Sequence, residues 1–148
     1  MTQLRPSQIV ALVGGALLLL SCLLEWAGEG RHSVGVMDSS FGFAGVFVLL
    51  ISLALLGVAV VGAFLPQVKL PEQILGFTID QAVVALAFAV TVYGFSITFL
   101  SVRGTNLAGA GAFLAWIGGS AMIAAVIMAQ RAPAPAPSED PPPPPPAE

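Results

Sequence analysis

Long apolar runs broken by short polar segments dominate the chain. The first closes with LLSCLLEWAGEG, Leu19 to Gly30, and three more cover about Phe41 to Leu65, Ile79 to Leu100 and Leu107 to Ala129. These three contain no charge apart from Asp80 at the start of the third. Each run matches the roughly 20 helical residues that cross a hydrocarbon core about 30 Å thick. In hydrocarbon every backbone N–H and C=O must be satisfied within the protein, so only helices or closed barrels cross. The runs are continuous and lack the apolar–polar alternation of barrel strands. The pattern therefore predicts an all-α membrane protein, an antiparallel bundle of four transmembrane helices over about 8–27, 41–65, 79–101 and 107–129. These helices form one domain, 1–130, and 131–148 is a separate tail.

Boundary residues fit this division. Pro66 and Pro71 fall between runs. Ser39 and Ser40 suit the start of the second helix and Asn106 the start of the fourth, because short polar side chains accept from the first free amides of a helix. Thr78-Ile79-Asp80-Gln81 has the Thr-x-x-Gln form of a capping box. Asp80 then lies in the first turn, where a carboxylate faces the positive end of the helix dipole. The connection from Ser101 to Asn106 is so short that helices three and four must be antiparallel neighbours.

Composition strengthens the membrane reading. The chain is 57% hydrophobic and 9% charged, with mean hydropathy +0.93, whereas roughly a quarter of the residues of soluble proteins are charged. One alternative concerns the first run, which could be a secretory signal ending in a lipidated Cys22. Ser21 suits such a site, but Leu20 is a poor match, and Leu23 and Leu24 would begin the mature chain with apolar residues. No A-x-A-like cleavage site lies nearby. The uncut helix is the expectation.

An even number of spans puts both termini on one side, together with Arg5, Lys69 and Arg131, while Arg31 and Arg103 share the other. The positive-inside rule places the termini in the cytoplasm of a bacterial plasma-membrane protein, by three basic residues against two. The segment Gly28 to Ser40 is then a polar outer loop, and the stretch after Pro71 is a candidate to lie along the inner interface.

Gly111, Ala115 and Gly119 recur at spacings of four on helix four. Without a hydrophobic drive between helices in lipid, such small residues permit the close approach through which membrane helices associate. The stripe predicts a groove for helix three or for the same helix of another protomer, and depth places Tyr93 level with Leu114 to Trp116. Trp26, Phe41, Phe64, Phe77 and Phe99 lie near run ends, where rings suit the interface. Trp116 lies mid-helix, so its indole N–H needs an internal acceptor.

Little chemistry is available. His32 and Cys22 are the only histidine and cysteine, which excludes an internal disulfide and a Cys/His zinc cluster. Glu29, His32 and Asp38 read as a solvated loop rather than a metal site. No phosphate loop, nucleophile elbow or carboxylate pair is present in the sequence, so neither catalysis nor a cofactor is expected. Transporters usually place ionisable groups near mid-membrane; here Glu25, Asp80 and Arg103 are all at membrane boundaries, with Glu25 and Arg103 on one side and Asp80 on the other. The tail APAPAPSEDPPPPPPAE has no apolar periodicity and reads as disordered or polyproline II.

A first helix ending in Trp26, a polar outer loop, GAGAFLAWIGGSAMIAA as fourth helix and a Pro-rich tail resemble the small four-helix membrane proteins of actinobacteria. Members often carry Pro-Trp where this chain has Glu25-Trp26. The resemblance implies the bundle fold and a plasma-membrane location, and no activity. The residues predict a non-enzymatic accessory subunit with membrane lipids, other envelope proteins or its own copies as partners. Neither nucleic acid nor a small-molecule substrate is indicated. The alternative is a subunit of an oligomeric transporter or channel.

Overall fold

A computed structural model describes residues 4–29, 32–38, 42–65, 67, 68, 71, 73, 74, 76–100 and 107–132. Four helices, α1 (Pro6–Leu23), α2 (Phe43–Phe64), α3 (Ile79–Phe95) and α4 (Ala110–Arg131), are long and apolar enough to cross a membrane, α3 being prolonged by a π-helical turn, Ser96–Leu100. Among the described residues the fold is not purely α. Between α1 and α2 lie strands β1 (Glu25–Glu29) and β2 (His32–Gly35). A two-residue hairpin, β3 (Gln73–Ile74) and β4 (Phe77–Thr78), precedes α3, and β5 (Leu107–Ala108) precedes α4. The segment expected along the interface thus contains a hairpin, with Gly76 at φ 84° in its turn, a backbone region that suits glycine.

The helices run alternately up and down, so that one end of the bundle carries the N-terminus of α1 and the C-terminus of α4 and the other carries β1, β2 and β5. At the terminal end, Gln8 Nε2 donates to the Gly62 carbonyl at 2.8 Å, tying α1 to α2. There too, Gln130 Nε2 donates to Asp80 Oδ2 at 3.4 Å, tying α4 to α3. The pair α1 and α4 forms the spine, with α2 against α1 and α3 against α4; α2 and α3 meet only lightly. The spine is close-packed because glycines face each other across it. A Cβ on Gly14 would stand 2.9 Å from the Gly118 carbonyl oxygen, and one on Gly118 2.9 Å from that of Gly14. On the other side of α1, Gly15 lies against Leu56 of α2.

The end of helix one and the start of helix four differ from the sequence reading by three or four residues, and one cause explains both. Helix one stops at Leu23 instead of about 27 because Glu25–Glu29 pairs with β2 on one side and β5 on the other. Helix four starts at Ala110 instead of 107 because Leu107 and Ala108 are the partners of Gly28 and Ala27. The part of the polar outer loop expected to be irregular is therefore ordered, in its described residues, as a sheet in the order β2-β1-β5. The capping box at Thr78 forms: its Oγ1 accepts from Gln81 N at 3.3 Å, and Thr78 N donates to Gln81 Oε1 at 3.0 Å. Ser39, Ser40, Asn106 and the tail 133–148 lie outside the described residues, whereas Arg131 ends α4.

Candidate functional site

Trp26 is a correction to the sequence reading. It was expected at the membrane surface and is fully buried instead. The register slips between Glu25 opposite Gly35 and Ala27 opposite Val34, which leaves Trp26 as an extra residue on β1. A bulge of this kind re-aims a side chain. The ring lies in a notch over Gly111, where any Cβ would collide with the indole, and its centroid is 5.7 Å from that of Tyr93. Its N–H donates to the Ser21 carbonyl at 2.7 Å, satisfying an acceptor at the free C-terminal end of α1. Backbone contacts seal the same corner. Gly109 N donates to Trp26 O at 2.9 Å, and Gly109 has no room for a Cβ beside the Glu25 carbonyl.

The three small residues of α4 consequently have separate neighbours. Gly111 receives Trp26, Ala115 meets Gly94 of α3, and Gly119 meets Thr91 and the Ala87 carbonyl of α3. A Cβ on Gly94 would lie 3.0 Å from both Ala115 Cβ and Trp116 N, which puts Tyr93 at the depth expected for it. Trp116 packs edge-on to Phe95 with centroids 6.4 Å apart and lies tilted to Phe99 at 6.3 Å, while its buried Nε1 has no hydrogen-bond partner among the described residues. Sequence reasoning missed Gly14, Gly94, Gly109 and Gly118. The pair Gly118-Gly119 was the available signal, since adjacent glycines on a helix serve two different neighbours.

Three hydroxyls inside the bundle are spent on their own helices. Ser21 donates to Leu18 O at 2.6 Å, Ser52 to Val48 O at 2.7 Å, and Thr91 to Ala87 O at 2.7 Å. Cys22, also buried, lies with Sγ 3.7 Å from Ser52 Oγ. Among the described residues no three His, Cys, Asp or Glu side chains gather to hold a metal.

Concave surfaces lie along both sides of α3. Toward the sheet end, Phe47, Val48 and Ile51 of α2 face Ala89, Val90 and Tyr93 across an apolar groove of about 230 Å³. At the terminal end, all four helices line an open cleft of about 200 Å³ that includes Gln8, Ala59, Asp80, Val83 and Met122. A broader groove of about 660 Å³ runs along the other flank of α3, past Phe77, Asp80, Gln81, Phe88 and Gln130. Asp80 borders both. Glu25 is exposed at the opposite, sheet end, so the structure does not bring the two carboxylates together. Arg31, Lys69 and Arg103 lie outside the described residues. Compared with protein-family models, with curated proteins and with solved structures, the chain matches none.

Proposed function

We propose that this protein is a non-enzymatic accessory subunit of a bacterial plasma-membrane assembly that works through contacts with other membrane proteins or with its own copies. The observation that carries this reading is the state of the interior. The hydroxyls of Ser21, Ser52, Thr91 and Thr98 are each donated to a carbonyl of the same helix. Hydroxyls bonded locally in this way do not link into a polar path across the bundle. The light contact between α2 and α3 supports the same reading, because a groove holding Phe47 and Tyr93 is left for an apolar neighbour.

Photo-crosslinking in intact membranes tests it. A benzophenone amino acid at Phe47 or Ala89 should give one discrete protein adduct, and the same probe at Leu53, an exposed position of α2 outside the groove, should give none. Adducts only with lipid at all three positions would sink the proposal. Reconstituted protein should carry no ion or solute flux above empty liposomes; flux abolished by Glu25→Gln would replace the contact reading with the transport alternative.

A further inference from the structure

The geometry at the terminal end leads us to propose that Asp80 binds a two-chain phospholipid with a primary ammonium headgroup, one acyl chain in each of the two clefts that border it. The inference rests on the chain spanning a bilayer and on nothing else in the functional reading above. Asp80 lies in the first turn of α3, beside the capping box and therefore near the end of the membrane span. One cleft is walled mainly by Val58, Ala59, Val83, Met122 and Ala125, and the other includes Val84, Ala85 and Phe88. Both are apolar troughs that diverge from one carboxylate, which is the shape of a headgroup with two tails.

Charge selects among lipids. The hydrogen bond from Gln130 to Asp80 Oδ2 is 3.4 Å, beyond the usual 2.7–3.2 Å for N–H···O, and no other partner of this carboxylate is found among the described residues. An ionised carboxylate has about four acceptor sites, so most of its capacity is free. A primary ammonium brings three donors and the opposite charge. Trimethylammonium brings the charge without donors, and an anionic headgroup would be repelled. Arg131, exposed one residue beyond Gln130, adds a cation at the same end of the bundle.

The test uses full-length protein in maltoside micelles with equimolar phosphatidylethanolamine, phosphatidylcholine and phosphatidylglycerol, the retained lipids being counted by native mass spectrometry. The wild type should retain the ethanolamine lipid in preference to the other two. Asp80→Asn should cut that preference about two- to fivefold, the range of a solvent-accessible ion pair, while Asp80→Glu and Glu25→Gln keep it. Ala129→Phe, at the mouth of the first cleft, should lower retention of the ethanolamine lipid with Asp80 intact. Equal retention of all three lipids by the wild type overturns the proposal, and so does an Asp80→Asn protein of native helicity with unchanged preference. Should Asp80→Asn fail to fold, unchanged retention in Ala129→Phe overturns it. Carbonate extraction separates the two levels. Release of the protein from membranes would remove the membrane reading itself, whereas membrane-integrated protein without lipid preference removes only this inference.

Discussion

Trp26 lies on Gly111: a β-bulge turns the indole into the bundle, and the missing side chain on α4 is the space it occupies. Adding one methyl there sets a Cβ against the ring and against the Ser21 carbonyl oxygen, 2.7 Å away. Overpacking a fitted core costs about 1–3 kcal/mol. Gly111→Ala should therefore lower the melting temperature in mild detergent and shift Trp26 emission to the red, read in a Trp116→Phe background. An unchanged melting curve would show that the ring does not sit in this notch.

The two tryptophans differ in hydrogen bonding, which yields a paired prediction. Trp26→Phe removes the shorter of two hydrogen bonds to Ser21 O, which keeps only Leu24 N at 3.3 Å, at a cost of about 0.5–1.5 kcal/mol. Trp116→Phe removes a buried donor that has no partner among the described residues and keeps a ring beside Phe95 and Phe99. Thermal unfolding followed by circular dichroism should show the first variant clearly less stable than the second. The reverse order would contradict the assignment of the Ser21 bond.

The α1–α4 spine should tolerate no side chain. At Gly14 a Cβ meets the Gly118 carbonyl oxygen and, at 3.1 Å, Met122 N, both of them backbone atoms with little freedom to move aside. Gly14→Leu and Gly118→Leu are expected to abolish monodisperse elution. Gly57→Leu on α2, where an added Cβ meets nothing within 4 Å, should elute as wild type. Similar profiles for all three would remove the spine from the account.

Gly119 and Thr91 form a coupled pair across α3 and α4. A Cβ on Gly119 collides with Thr91 Oγ1 and also lies 2.8 Å from the Ala87 carbonyl oxygen. Gly119→Ala should destabilise by about 1–3 kcal/mol, and Thr91→Ala in the same chain should recover only part, because the clash with backbone remains. Strict additivity in this double-mutant cycle would mean that the two residues do not touch. At Ala115, removal of the methyl that faces Gly94 should be tolerated, whereas Ala115→Leu should not fold.

Cys22 offers a simple probe of α1. The residue is 7% exposed, and its Sγ lies 3.5 Å from Leu18 O. A membrane-permeant maleimide should label it only after denaturation. Rapid labelling of native protein would argue against α1 as an integral part of the bundle.

Hydropathy, cap chemistry and connection length are local properties, and they were legible in the sequence. Apolar runs with charge only near their ends marked the four helices, Thr78 and Gln81 marked the start of α3, and the short connection after Ser101 made α3 and α4 neighbours. The tertiary structure alone decided which face of each helix meets which neighbour. In lipid both the packed and the exposed sides of a helix are apolar, so no amphipathic pattern distinguishes Gly118, which faces α1, from Gly119, which faces α3. Long-range pairing decided the rest. Gly28 opposite Leu107 ends α1 early, creates the bulge and turns Trp26 from an expected surface anchor into the plug of the sheet end. Asp80 shows both levels at once: its place in the first turn of α3 was written in four consecutive residues, whereas the clefts on its two flanks exist only because α1, α2 and α4 arrive from elsewhere in the chain.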